Sequence, residues 1–402
     1  MTDSIPELSQ AIEIFPFNAD EYIVCHKTLG YNININRNTY LILGLIDGKR
    51  SITDIQSKFK SDYDILLSTN FIADLLYKQL ANFGIVLQND FVVKRKEKAD
   101  YLKLSFIFIP SSVLRFITPL FAFLFKRWVF YPLLIGFFIL ISLVIALNYP
   151  VIKYWLDIKS FSLIDLSLYL IIFQIGNLFH EIGHASALRY FNAESGGIGF
   201  GFYLFTPALF TDVSEAWKLD KKERIIVNLG GIYFELLIAG LLLLFYFFKG
   251  DILFLILPCV LILSTLINLN PFLKLDGYWM LSDATNTPNL RKRSIAVLHK
   301  KLTQIKKIKL QFNSIGEGLL FLYSLVSILF IFVFIITVLV NDPYSIVKFP
   351  LYLVDMFLQF KSVNLFTVVK TLFVPVIFWY LLFSLITQYF KFIKNRNDHA
   401  VR

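Results

Sequence analysis

Cysteine is nearly absent from this 402-residue chain: Cys25 and Cys259 are the only two, one near the start and one inside an apolar run. That excludes a disulfide framework. The first ten residues, MTDSIPELSQ, are acidic and lack an apolar core, so they do not read as a cleaved signal peptide. No internal repeat occurs. Histidine is also scarce, with five in the whole chain, so a pair of them in apolar surroundings stands out.

Apolar residues are what the chain has in quantity. It is 56% hydrophobic with 43 phenylalanines and a mean hydropathy of +0.64, the composition of an integral membrane protein. Its length allows two or three domains. The net charge of +10 suits nucleic acid or an anionic surface. The lysines and arginines cluster beside hydrophobic spans, which points to the lipid bilayer and away from nucleic acid.

Residues 1–98 read as a small soluble α+β domain. An alternating strand over 31–35 leads into a helix over 36–46 that stops at Asp47-Gly48. Ser51-Ile-Thr-Asp54 is an N-cap with an acid three positions on, opening a second helix. A longer amphipathic helix is expected over 63–83, with Gly84 as its stop. Apolar segments at 85–88 and 91–94 flank Asn89-Asp90 as a hairpin. Strand, three helices and a two-stranded wing make a winged-helix arrangement, which DNA-binding modules share. Residues 99–127 follow a basic junction (Lys94 to Lys98) and are interrupted by Pro110, Arg115 and Pro119. They read as an interfacial linker.

About six spans follow, over 128–147, 161–190, 225–248, 252–273, 318–340 and 366–390. The stretch 344–360 is shorter and reads as an interfacial helix. Arg291, Lys292, Arg293, Lys300 and Lys301 load the loop between spans four and five, and Lys218, Lys221, Lys222 and Arg224 precede span three. The opposite loops are sparse. By the positive-inside rule both termini are cytosolic in a multi-pass protein of the cytoplasmic membrane.

Span two carries His180-Glu181-Ile182-Gly183-His184. On a helix His180 and His184 are one turn apart and project from one face, so their ring nitrogens can converge on one Zn²⁺. Glu181 lies within the same arc, placed to take a proton from a water on the metal. Ionisable groups at that depth are costly unless they have a function. Zinc needs a third protein ligand and leaves a position for water. Asp276 is the best candidate. It sits at the cytosolic end of span four, at the depth of the histidines, after Pro271 where helical hydrogen bonding must stop. The bland alternative is a helix end marked by Asp-Gly.

Two resemblances follow from these strings. NINRNTYLILGLIDGKRSITDIQSKF resembles the PqqD-type peptide-chaperone domain over about residues 20–95, which implies capture of an extended peptide by edge-strand addition. HEIGH on one span and NLNPFLKLDG on a later one resemble the site-2-protease-like intramembrane metalloproteases (peptidase family M50) over about residues 128–290. That resemblance implies Zn²⁺ on His180, His184 and Asp276, with Glu181 catalytic. PALFTDVSEAWKL, RIIVNLGGIYFELL and NLNPFLKLDGYWMLSD are similar to the peptide zinc metalloprotease branch, whose members carry PqqD-like domains. Asn270-Pro271 is followed here by Phe272-Leu-Lys274 and not by a second proline, so substrate contacts of other branches do not carry over.

The expected architecture is therefore an α-helical polytopic membrane protein with a site-2-protease-like core over 128–290. A winged-helix domain (1–98) and an interfacial linker (99–127) precede it. A basic cytosolic loop, two more spans and a cytosolic tail (291–402) follow. The glycine-rich run 196–207 reads as a sheet or hairpin dipping into the membrane, or as a plain connecting loop. The resemblance implies that this element pairs with an extended substrate. Asp212 is a candidate for the cytosolic mouth. Glu235, after Gly230-Gly231, is a candidate orienting partner for a zinc histidine. Both have bundle hydrogen bonding as the alternative. Asn228 and Asn268 are candidate oxyanion donors. The expected activity is zinc-dependent endoproteolysis of a peptide, such as a ribosomally made modified precursor. The rivals are regulated cleavage of a membrane-anchored signalling protein, and a non-catalytic peptide-binding immunity or export-accessory role.

Overall fold

The computed structural model describes residues 4–29, 31–87, 102–157, 163–203, 206–305, 312, 314–341, 343–358, 374–383 and 386–387. The chain divides into two compact units. One comprises Met1–Asp100 with Ser214–Lys221, and the other Tyr101–Val213 with Lys222–Arg402.

In the first unit, β1 (Glu7–Leu8), β2 (Ile12–Pro16), β3 (Glu21–His26) and β4 (Tyr31–Asn36) precede α1 (Arg37–Gly44) and α2 (Ile52–Tyr63). Strands β2, β3 and β4 form an antiparallel sheet in that order, with Ile14 opposite Val24 and Val24 opposite Ile33. Only β4 is expected from its alternation. Asn36 caps α1 by accepting from the Thr39 N–H at 2.9 Å. Ser51 and Asp54 form the reciprocal capping box that starts α2. Val24, Ile42, Ile52, Phe59 and Leu76 meet in one apolar core.

The single helix expected over 63–83 is broken. Asp64 adopts φ 54° and closes α2, and Ile65 and Leu67 pack on the core from a non-helical stretch. Ser68 then caps α3 (Thr69–Ala73) by accepting from the Phe71 N–H at 3.2 Å. A wider π-type turn (Asp74–Leu80) and Gly84 at φ 71° end the segment. Ser68 is a second capping serine inside an apolar periodicity that otherwise reads as one helix. β5 (Val86–Leu87) pairs antiparallel with β1. The second arm of the proposed wing, the Lys94-to-Lys98 junction and most of the proposed sixth span lie outside the described residues.

Ser214–Lys218, a short 3₁₀ turn, also belongs to this unit. Trp217 packs on Phe17 at 5.8 Å between ring centroids and covers the small cluster of Phe17, Ile23 and Cys25. Lys218 stands 2.7 Å from Glu215 and 3.7 Å from Glu13. Burial pushes the Cys25 thiol up to about 11, so thiolate is scarce at neutral pH. In a Cys259→Ser background, Cys25 is expected to resist alkylation at pH 8. Trp217→Ala should then speed the reaction at least ~10-fold. An unchanged rate would mean that Trp217 is not its cover.

The second unit opens with β6 (Leu102–Pro110) and α4 (Ser111–Ala122). The 99–127 segment is thus part strand, over nine residues, and part helix. β6 pairs with β7 (Gly197–Tyr203), and β7 pairs with β8 (Thr206–Thr211), all antiparallel. The glycine-rich run is therefore sheet and not a plain loop. Register breaks in β6 and a positive φ at Leu104 (49°) mask its alternation in the sequence. Leu104, Phe106, Ile107 and Phe108 remain exposed.

Helices α5 (Arg127–Leu147), α6 (Tyr149–Asp157), α7 (Leu163–Tyr190), α8 (Lys221–Lys249) and α9 (Leu253–Asn268) follow, then α10 (Asp276–Ala284), α11 (Leu290–Ile305), α12 (Ile315–Asn341) and α13 (Pro343–Leu358). Three of them, α5, α8 and α12, are long and apolar enough to cross a membrane. Ser111–Phe125, Leu253–Asn268 and Val374–Phe383 are shorter apolar helices. The fourth expected span ends at Asn268 and not at 273, because turns occupy Pro271–Lys274. Ile232, Leu236, Ala239, Leu257 and Leu261 lie in the core that packs α8 on α9.

Candidate metal centre

Two histidines on consecutive turns of α7 face one another, with 3.0 Å between their Nε2 atoms. Both are buried. His184 Nδ1 lies 2.8 Å from the Val227 carbonyl of α8. A carbonyl only accepts, so Nδ1 carries the proton and Nε2 presents a lone pair. His180 Nδ1 lies 3.4 Å from Glu235 Oε1, just beyond hydrogen-bond geometry. Glu235 is wholly buried and already accepts from Ser264 Oγ at 2.9 Å and Thr265 Oγ1 at 2.6 Å, both on α9.

Asp276 opens α10 and brings Oδ2 to 3.0 Å from His180 Nε2 and 3.4 Å from His184 Nε2. That oxygen is buried and receives no hydrogen bond. One donor atom from each of the three residues lies within 4.8 Å of the others. Two imidazole nitrogens and a carboxylate oxygen this close crowd their lone pairs unless positive charge sits between them, and a cation supplies it. Tetrahedral ligands of zinc at ~2.0–2.1 Å stand about 3.3 Å apart. The spacings here fit that geometry, and two imidazoles with a carboxylate are a zinc donor set. Among the described residues, no other group of histidine, cysteine and acidic side chains converges in this way.

Two glycines make the convergence possible. A Cβ at Gly231 would fall on the His180 ring, so α8 cradles that imidazole only because no side chain is there. A Cβ at Gly277 would strike the Leu269 carbonyl, so the chain turns from α9 into α10 only with glycine at that position.

Glu181 follows His180 on α7 and is buried. Its backbone carbonyl accepts from Thr211 Oγ1 at 2.9 Å, which ties the last residue of β8 to the helix beside the carboxylate. Asp212 follows on, exchanging backbone hydrogen bonds with Gly196 and Gly197, its carboxylate packed against Gly196. Asn228 turns its amide to Asp283, donating from Nδ2 to Oδ2 at 3.0 Å. Asn268 is half-buried at the last position of α9. Of the acids singled out in the sequence besides Glu181, Asp276 shares the histidine cluster and Glu235 backs it. Thr211, Ser264, Thr265 and Asp283 were not anticipated. The weak signal for the last was its seven-residue spacing from Asp276.

No family model matches the chain, and no solved structure does. One relative is YydH of Bacillus subtilis (strain 168), named "Putative peptide zinc metalloprotease protein". It is 29% identical over 211 residues, which is 50% of this chain and 79% of the relative. Half of the chain is thus similar to a protein named as a zinc metalloprotease, which supports a zinc metalloprotease at family level.

Proposed function

We propose that this chain is an intramembrane zinc endopeptidase of the site-2-protease-like type, acting on a peptide substrate. The observation that carries the proposal is the meeting of the lone pairs of His180, His184 and Asp276. The relative's name lends independent support. In this proposal Zn²⁺ is held by those three residues, and when bound it supplies Lewis acidity for the scissile carbonyl and makes a water acidic enough to attack.

The chain's own groups supply the rest. Glu181 accepts the proton of the attacking water as its oxygen bonds to the carbonyl carbon. Glu181 then delivers that proton to the amide nitrogen as the C–N bond breaks, so a carboxylic acid and an amine leave. The Val227 carbonyl orients the His184 imidazole, and the Glu235 carboxylate stands beside His180. In this reading an extended peptide pairs with the outer edge of β8, the strand anchored through Thr211, because only an extended backbone exposes its carbonyl to water.

The wider assignment is part of the same proposal: six spans, both termini cytosolic, and a PqqD-like amino-terminal domain that recruits a ribosomally made precursor for maturation. The sheet of β2, β3 and β4 is the element such recruitment would use.

The test is metal content of the purified full chain beside His180→Ala and Asp276→Ala. About one zinc per wild-type chain, lost in both variants, is expected. Wild-type protein without zinc would end the enzyme assignment. Zinc lost only from the histidine variant would replace Asp276 as third ligand.

A further inference from the structure

We infer that Asp283, gripped by Arg224 and Asn228, is a positioning residue that sets where Asp276 points. The inference rests on the zinc-site proposal above and concerns a part of the molecule that proposal does not use. Arg224 Nε donates to Asp283 Oδ1 at 2.7 Å, and Asn228 Nδ2 donates to Asp283 Oδ2 at 3.0 Å. Both carboxylate oxygens are thereby held by residues one turn apart on α8. Arg224 is 3% exposed and Asp283 6%, so the grip operates in a low dielectric where charge-assisted hydrogen bonds are strong and directional.

Asp276 and Asp283 are seven residues apart on α10, two turns along one face. The helix has only nine residues, and no side-chain hydrogen bond caps its start. Its entry is a run of turns from Pro271 to Lys274. A clamp at the far end therefore fixes the orientation of a short rigid rod whose first residue is the ligand. A buried ion pair adds little net stability over an apolar pair of equal volume. Orientation is the contribution left to it.

The stripe of α8 that makes the clamp explains why it belongs to the site. Arg224, Val227, Asn228, Gly231 and Glu235 follow i, i+3, i+4, i+7 and i+11, so they share one helix face. Arg224 and Asn228 hold the helix that carries Asp276. Val227 offers its carbonyl to His184, Gly231 makes room for His180, and Glu235 stands beside His180 Nδ1. One helix face thus orients all three proposed ligands.

The experiment is zinc affinity of the full chain by chelator competition, with the visible spectrum of the Co²⁺-loaded protein as a second readout. Asp283→Asn is expected to weaken zinc binding by about 10- to 100-fold and to shift the Co²⁺ bands. Arg224→Lys keeps the charge and loses the planar donor geometry, so a smaller loss in the same direction is expected. It decides the matter if Asp283→Asn does not accumulate folded. The control is Glu317→Gln, which weakens another ion pair, buried Lys301 Nζ to half-buried Glu317 Oε2 at 3.0 Å, between α11 and α12. It should leave affinity and spectrum unchanged. Wild-type affinity and spectrum in both clamp variants would overturn the inference, as would an equal loss in Glu317→Gln. A wild-type chain without zinc would overturn the underlying site proposal, and the clamp's role with it.

Discussion

Glu181→Gln should keep its zinc and lose cleavage by at least about 10²- to 10⁴-fold, the usual contribution of a positioned general base. The substitution changes one atom's chemistry and almost nothing else. Gln fills the same volume in the same buried place on α7. Its backbone carbonyl still accepts from Thr211, so the hairpin stays anchored. The proposed ligands are His180, His184 and Asp276, and none is altered. An amide cannot take up a proton near neutral pH, so the attacking water keeps its own and the departing nitrogen receives none. Zinc content and turnover of a peptide that the wild-type chain cleaves should be measured on one preparation. Full zinc with wild-type turnover would refute the role given to Glu181. Loss of zinc would show that Glu181 belongs to the metal site itself.

Gly231→Ala should remove the metal from a chain that still folds. The added methyl would land on the His180 imidazole, which has little room to retreat. On one side the ring faces Glu235, itself fixed by two hydroxyls of α9. On the other it faces Asp276 and His184. The ring must rotate or α8 must move away from α7, and either takes Nε2 out of the shared point. Zinc affinity should fall by at least about 10- to 100-fold, as when an orienting neighbour of a ligand is lost. Alanine favours helix over glycine by about 1 kcal/mol, so helix content should not decline. Gly136→Ala is the matching control, since nothing lies within 4 Å of a Cβ built there. Equal zinc affinity in Gly231→Ala and wild type would show that the cradle is not needed.

Local chemistry was legible in the chain itself. Spacing of i and i+4 places His180 and His184 on one helix face whatever surrounds them, and Asp47-Gly48 and Ser51-to-Asp54 mark helix ends by turn and cap geometry alone. Asp276, 92 positions beyond His184, is marked only by an Asp-Gly that follows a helix-ending proline. Strands β2, β3 and β6 were harder to see, since a strand is stabilised by a partner that can lie far off in sequence. β6 pairs with β7 across more than 80 residues, and bulges blur its alternation.

An apolar composition, a histidine pair and adjacent glutamate at helical spacing, and an Asp-Gly shortly after a helix-ending proline are all legible in the chain. Tertiary structure alone decided that Gly231 lies under the His180 ring, that Thr211 reaches the Glu181 carbonyl, and that Asp283 is held by Arg224 and Asn228. The physical reason is range. Helical periodicity and capping act within a turn or two, whereas each of these contacts depends on which faces of separate elements meet, and the packing of the whole core sets that.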